Sequence, residues 1–451
     1  MALKSRLGKK MEIDVERLGI NGEGVGSWYG CVVFVDHALP GERVFCQVYE
    51  KKKNYAKAFS LNLLRSSSER VNPICPLFGK CGGCQIMHLS YDAQLKYKSQ
   101  KVKDALQRIG KLVDVAVLPC ISSPNPLMYR NKIQIPIQKS AEGLKIGLYA
   151  RLTHDVIDMK NCYIHCELGQ KVYERILSIL SSFPFKPFDP LTGEGDIRHI
   201  LIKTAVKEKQ VLVVIVTCQE DSPHLTEIAK RIKEEAKEVV GVIQNINSSE
   251  KNSVLGEKYH LILGKEKIEE NLCGLYFHIS AASFFQVNTL QAEQLYETVL
   301  NYLCLNGEQT VLDAYCGVGT LSLLMALKAK KVIGIECVEE AVRDAYENAQ
   351  KNNIKNIEFF CAETENFIHQ LKEIDAVVLN PPRKGCAKEV LEALTLLKPQ
   401  KIVYVSCDPA TLSRDLAILC HHKWEIITVQ PFDMFPQTAH VETVALLYYK
   451  G

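Results

Sequence analysis

No run in this 451-residue sequence is long and apolar enough to suggest a membrane span. The longest aliphatic run, Val211 to Val216, has the length of a buried strand. The basic start, MALKSRLGKK, is not followed by an apolar stretch, so it does not read as a secretory signal. The expectation is a cytoplasmic protein with no membrane partner. Charge of one sign is also scarce: 55 Lys and Arg against 52 Asp and Glu leave +3. Such a balance says little about nucleic acid, for which clustering matters more. Basic clusters do occur at Lys4, Arg6, Lys9 and Lys10, at Lys51, Lys52 and Lys53, and at Lys96, Lys98, Lys101, Lys103 and Arg108. A solvated face explains any one of them equally well.

Cysteine, by contrast, is abundant, with 17 in the chain. Without a secretory signal, disulfides are not expected, and any cysteine that matters serves metal binding or catalysis. Cys31, Cys46, Cys218, Cys304, Cys337, Cys361 and Cys420 stand singly among apolar residues, as small hydrophobes do. Cys75, Cys81 and Cys84 are different. They lie close together around Gly82 and Gly83, a spacing that signals a metal site whose fourth ligand comes from elsewhere. Spacing alone leaves zinc and an iron–sulfur cluster both open.

The length calls for two or three domains. Residues 11–64 alternate over short segments punctuated by Asn21-Gly22, Gly24-Val25-Gly26 and Pro40-Gly41, which predicts a small barrel of oligonucleotide-binding type. A helix is predicted from Tyr91 to Ile109, capped by Ser90 and ended by Gly110, with Leu95, Val102, Leu106 and Ile109 as its apolar stripe. Residues 120–280 mix strands and helices, an α+β pattern. From about 281 strands alternate with helices: Val311–Tyr315, Lys331–Glu336, Ile357–Phe360, Ile374–Leu379 and Lys401–Ser406 are the strands. That rhythm predicts a Rossmann-like α/β domain whose ligands sit at the carboxyl ends of the strands. The expected division is 1–66, 67–280 and 281–451.

Those strand ends carry the chemistry. The first ends in Asp313-Ala314-Tyr315-Cys316-Gly317-Val318-Gly319-Thr320, a glycine turn that lets a ligand approach the backbone. A third glycine, needed for a dinucleotide fingerprint, is missing where Ser322 stands. Glu336 closes the second strand, well placed to accept ribose hydroxyls. With Asp313 adding negative charge, a cationic sulfonium fits better than a pyrophosphate, so S-adenosylmethionine is favoured over NAD. Two further strand ends carry Asn380-Pro381-Pro382-Arg383-Lys384-Gly385 and Ser406-Cys407-Asp408-Pro409. Pro409 is placed to open a helix whose N-terminus would lower the Cys407 pKa toward thiolate.

Together with Ser283-Phe284-Phe285-Gln286-Val287-Asn288 and Asp433 to Glu442, these motifs resemble the bacterial 23S ribosomal RNA (uracil-5-)-methyltransferases that carry a TRAM domain and an iron–sulfur cluster. The resemblance runs nearly end to end. It implies a TRAM barrel at 1–66, a central α+β domain with the cluster, and a methyltransferase domain onto which the helix at 90–110 packs. It implies Cys407 as nucleophile and Glu442 as the base that removes a proton from carbon 5. It places Gln286, Tyr315, Glu336 and Asn380, with Thr320 and Glu363, around the cofactor and uracil. It also implies that Cys162, rather than nearby Cys166, completes a [4Fe–4S] site with Cys75, Cys81 and Cys84. Asn380 departs from the family, which has aspartate before the two prolines.

The chemistry gives these residues their reason. Thiolate addition at carbon 6 makes carbon 5 nucleophilic, and a carboxylate can then remove the carbon-5 proton. The expected partner is RNA, ribosomal RNA before transfer RNA, and the expected state is a monomer. An amino-group methyltransferase would use Asn380-Pro381-Pro382 but leave Cys407 and Glu442 idle. An RNA-binding assembly factor would not bind S-adenosylmethionine. A cluster-dependent redox enzyme would need a separate site that the sequence lacks.

Overall fold

The computed structural model describes residues 8–140, 143–151, 153–189, 192–248 and 253–451. Alternation builds its first unit. In β1 (Lys10–Leu18), Met11, Ile13 and Val15 point inward while their neighbours face water, as a two-residue period requires. With β2 (Gly24–Trp28), β3 (Cys31–Asp36), β4 (Arg43–Lys51) and β5 (Tyr55–Arg65) it closes a barrel in the order β1-β2-β3-β5-β4. Strands β3 and β5 run parallel. A β-carbon on Gly26 would stand 2.3 Å from the Asp14 carbonyl oxygen, so the β1–β2 wall closes only around glycine.

Next comes α1 (Tyr91–Arg108). Ser90 holds its N-cap position, but the hydroxyl bonds Glu69 instead of a helix N–H. The buried face also differs from the expected stripe. It comprises Ala93, Gln94, Lys98, Val102 and Leu106, while Ile109 is half exposed. Val102 and Leu106 share a core with Leu412 and Leu416 of the C-terminal unit. Lys98 is fully buried and Lys101 partly so. Neither belongs to a solvated basic face, because each has polar partners inside.

The central sheet contains β6 (Lys132–Ser140), β7 (Gly143–Tyr149), β8 (Val156–Asp158), β9 (Ile197–Ala205), β10 (Gln210–Thr217), β11 (Val239–Ile246) and β12 (Lys258–Gly264), ordered β12-β11-β10-β9-β6-β7-β8. On one face lie α2 (Glu167–Ser181) and α3 (Leu225–Glu235), packing Ile176, Ile228 and Ile232 against Ile202 and Val213. On the other, Leu201, Leu212 and Val214 enter the same core as Phe277, from the hairpin β13 (Lys267–Leu272) and β14 (Leu275–Ser280), and Leu295. That shared core ties the central sheet to the C-terminal unit.

The C-terminal unit begins with α4 (Thr289–Leu303) and alternates β15 (Thr310–Asp313), α5 (Thr320–Ala326), β16 (Lys331–Glu336), α6 (Glu339–Lys351), β17 (Ile357–Cys361), α7 (Thr364–Phe367), β18 (Ala376–Leu379), α8 (Lys388–Leu397), β19 (Lys401–Ser406) and α9 (Pro409–His421). It ends with β20 (Trp424–Phe432) and β21 (Glu442–Tyr449). The sheet order is β17-β16-β15-β18-β19-β21-β20. Strands β15 to β19 are parallel and β21 enters antiparallel beside β19. This is the α/β arrangement that the strand–helix rhythm predicts. Among the described residues no helix is long and apolar enough to cross a membrane.

Helix α1 is locked to this unit by a buried ion pair. Lys98 bonds Asp433, both side chains fully enclosed, and also donates to the Phe435 carbonyl at 3.0 Å. Lys98→Met would strand the aspartate in the core and should cost about 3–5 kcal/mol, read from urea unfolding. Lys98→Met combined with Asp433→Leu should recover most of that loss. Equal destabilisation in the single and double variants would show that the pair is not what holds this contact.

Candidate active site

The antiparallel entry of β21 makes the site. Ser406 pairs with Thr443, so the next residues outward, Cys407 and Glu442, come side by side at the carboxyl edge of the parallel strands. Glu442 is 4% exposed, and burial pushes its pKa up to about 8, opposed by the charge of Arg383. Cys407 is partly exposed. Its thiol is also pushed up, first by burial and then by the Glu442 carboxylate, while Arg383 pulls it down. The expected drop toward thiolate is therefore reversed. Pro409 does open α9, but the Asp408 side chain takes the helix N-terminus, accepting from Ala410 N–H at 2.8 Å and Thr411 N–H at 3.2 Å. The helix end is occupied by a carboxylate, whose charge adds to the upward shift.

Residues 433–441 lead into Glu442, and distant parts of the chain hold them. From α1, Gln94 exchanges hydrogen bonds with Gln437, through the side chain and the backbone N–H, each 3.0 Å. This fixes Gln437 at a φ of 70°, strained for a residue with a side chain. Lys101 donates to the Ala439 carbonyl and to Ile20 of the barrel, each at 2.7 Å. The backbone N–H groups of Gln85 and Ile86 both reach the Gln437 carbonyl at 3.1 Å. Tyr129 donates to the Pro436 carbonyl and Asn288 to that of Met434. Sequence reading missed Gln94, Lys98 and Lys101 as supports. The available signal was their spacing, which sets three polar residues along one face of an otherwise apolar helical stripe.

On the cofactor side, both oxygens of Glu336 are anchored. They accept from Gly317 N–H at 3.1 Å and Val338 N–H at 2.9 Å. Gly317 has a φ of 55°, and no atom lies within 4 Å of where its β-carbon would stand. Open space over the loop beside a fixed carboxylate fits a nucleoside. Asp313 departs from its expected role near a sulfonium. It is buried, accepts from Ser322 at 2.6 Å, and burial pushes its pKa up to about 6. Thr320 begins α5 beside the Tyr296 hydroxyl, 3.4 Å away. Tyr296 in turn feels the charges of Glu442 and Asp313. Tyr315 is half-buried near Cys386 and Asp415. Asn380 follows β18 and is half-buried.

Gln286 is buried, and its carbonyl accepts from Asn131 of β6's approach at 2.9 Å. Lys203 of β9 grips the Ser280 and Ser283 carbonyls at 2.7 Å each. Thus the central sheet positions the segment carrying Gln286. Glu363 follows β17, whose Cys361 pairs with Glu336; it is exposed at the N-cap of α7 and bonded to Asn366 at 2.9 Å. Strand order separates Glu336 from Cys407 by three inter-strand steps, about 14 Å, a span suited to a nucleoside with an amino-acid tail.

Among the described residues no group of three or more His, Cys, Asp or Glu side chains is set to hold a metal ion. The expected four-cysteine centre is therefore not found closed. Cys75, Cys84 and Cys162 nevertheless line one apolar cluster with Met87, Tyr129 and Ile164. Cys81 feels the charges of Cys162 and Cys75, and its sulfur accepts from Gly83 N–H at 3.3 Å. Cys166 is buried at the N-cap of α2.

A cleft of about 1410 Å³ opens onto Cys407 and His440. Its walls come from the barrel at Gly19–Asn21 and Tyr49, from α1 at Lys96 and Arg108, and from Arg151. The nucleophile candidate thus faces a groove shared by three parts of the chain.

The Glu442 pKa gives a test with a definite sign. The folded chain keeps this proton between the ordinary value of 4.5 and about 8, after the unfolded chain has lost it. Stability therefore falls as pH rises across that window. Glu442→Gln has no such proton to lose. Its unfolding free energy should gain on the parent's between about pH 5 and pH 8.5, by up to about 5 kcal/mol. A difference independent of pH would contradict the raised pKa.

Comparison with known proteins accords with this geometry. The family described as tRNA (Uracil-5-)-methyltransferase matches residues 209–450, and the TRAM domain matches residues 4–59. An uncharacterized RNA methyltransferase of Clostridium tetani is 44% identical over 438 residues, 96% of this chain and 95% of that protein. One from Caldanaerobacter subterraneus subsp. tengcongensis is 43% identical over 448 residues, 98% and 99% of the two chains. The crystal structure of Pyrococcus abyssi tRNA (uracil-54, C5)-methyltransferase in complex with S-adenosyl-L-homocysteine is 28% identical, with a TM-score of 0.78, covering 97% of this chain and all of that one. With a barrel in front of a methyltransferase sheet and a family match over more than half its length, the chain belongs to the tRNA (uracil-5-)-methyltransferase family and is an RNA methyltransferase with an N-terminal TRAM domain.

Proposed function

We propose that this enzyme methylates carbon 5 of a uracil in RNA through a covalent adduct on Cys407. The observation that carries the reading is the approach of the buried Glu442 to Cys407, which itself lines the cleft. S-adenosylmethionine, held along Tyr315, Glu336 and the Gly317 turn, supplies an electrophilic methyl group. Thr320, Glu363, Gln286 and Asn380 complete the proposed cofactor and uracil contacts. Cys407, open to the cleft, releases its proton to water there, and the thiolate sulfur forms a bond to uracil carbon 6, moving the carbon 5–carbon 6 electron pair into an enolate with O4 and making carbon 5 nucleophilic. Once carbon 5 carries the methyl group, the Glu442 carboxylate removes its remaining proton. The carbon–sulfur bond then breaks and the double bond returns. Because burial raises its pKa, Glu442 must first lose its own proton, and the carboxylate so formed is a stronger base for that last proton than an exposed one.

Cys407→Ala should lower turnover at least about 100-fold and give no protein–RNA adduct, while Glu442→Gln should accumulate one that survives denaturing electrophoresis. Turnover by Cys407→Ala would end the covalent reading. The substrate proposed is ribosomal RNA, on the motif resemblance. Transfer RNA is the second reading, favoured by the full-length likeness to the Pyrococcus abyssi enzyme. Mass-spectrometric mapping of 5-methyluridine in both RNAs from a deletion strain decides between them.

The four cysteines are proposed to hold a [4Fe–4S] cluster. Four thiolates suit zinc as well, and the cluster is proposed on the motif resemblance. Its thiolate ligation would draw protons from Cys81, Cys84 and Cys162, whose burial otherwise keeps them as thiols. Protein purified without oxygen should contain about four irons per chain. Cys162→Ala should lose them and Cys166→Ala should keep them. Stoichiometric zinc would overturn the assignment.

A further inference from the structure

The hairpin joining β2 to β3 turns through Tyr29 and Gly30, both with positive φ, 46° and 75°. Successive positive values define the tight turn for which asparagine and glycine are the unstrained residues. A tyrosine at the first position is strained, and its ring is 89% exposed. It meets Trp28 edge-on with centroids 4.7 Å apart. Trp28 itself packs on the barrel core and carries the Lys9 ammonium 4.3 Å over its ring. An anchored indole thus props an exposed phenol at the barrel's tip.

The surroundings are basic. Val32 pairs with Tyr55, which brings the turn at Lys52, Lys53 and Asn54 beside this hairpin. Glu50, the nearby acid, is already paired with Lys52 and Lys57. Lys9, Lys51 and Lys53 make no ion pair among the described residues. At the other end of β2, Gly19–Asn21 and Glu23 line the cleft. The length of β2 separates the two ends by about 14 Å, so one RNA strand can reach both.

We propose that this tip is a second RNA contact, a platform on which Tyr29 stacks an unpaired base while Lys9, Lys51 and Lys53 meet the flanking phosphates. The inference rests on the RNA-methyltransferase reading and adds a site outside the catalytic cleft. Exposed aromatic rings within a basic groove are how such barrels hold single strands.

The test uses the full chain with Tyr29→Asn, which puts the preferred residue in the turn. The melting temperature should hold or rise, because strain is removed. Affinity for a fluorescent 12-nucleotide single-stranded RNA should fall about five- to tenfold, as expected for one lost stacking contact. Tyr29→Phe should bind like the parent, and Lys53→Ala should reduce the salt slope by about one. Turnover on a short stem-loop that fills only the cleft should be unchanged in Tyr29→Asn. Absence of turnover by the parent on any RNA would instead defeat the methyltransferase reading. Undiminished single-strand binding by Tyr29→Asn would overturn the platform and leave the hairpin to a protein partner. Equal losses for single-stranded and duplex RNA would overturn base stacking.

Discussion

The catalytic edge depends on the buried pair of Lys98 and Asp433. An ion pair removed from water must be well satisfied or it destabilises the fold. Here the lysine also bonds the Phe435 carbonyl. Those contacts fix the start of the loop that ends at Glu442. Gln94 and Lys101 fix its middle and end, each about one turn from Lys98 on the same helix. A helix from the first quarter of the chain therefore sets the approach to the last strand. Because Lys101 also bonds Ile20, the barrel is tied to the same loop.

Around that loop the electrostatics favour neutral groups. Burial raises both Cys407 and Glu442, and the Glu442 charge further disfavours the thiolate. Arg383 is the cation that eases both. A site of this kind holds its protons until a substrate gives them somewhere to go. The helix N-terminus that could have activated the thiol is taken by Asp408. Of the side chains around Cys407, Arg383 is the one that favours the thiolate.

The three units share cores and walls. The hydrophobic cluster joining the central sheet to the C-terminal unit gives Lys203 and Asn131 a rigid base from which to hold residues 280–289. The barrel lies across the cleft from Cys407. All three units contribute walls to that cleft, so its shape depends on how they are joined.

Much was legible in the sequence. Local periodicity gives the barrel strands, the alternation after residue 281 and the strands at Lys331–Glu336 and Lys401–Ser406. Both signals arise from neighbouring residues, so they need no tertiary partner. The glycine turn beside Glu336 was legible for the same reason. Other features depended on residues far apart in the chain. The antiparallel insertion of β21, which sets Cys407 beside Glu442, is a choice of strand order that no local period encodes. Burial of Lys98 depends on an aspartate 335 positions away. The charge states of Cys407 and Asp313 followed from desolvation, which only packing creates. Sequence alone determined which residues could do the chemistry, because chemistry belongs to side chains. Tertiary structure decided which of them meet, because proximity and dielectric environment belong to the fold.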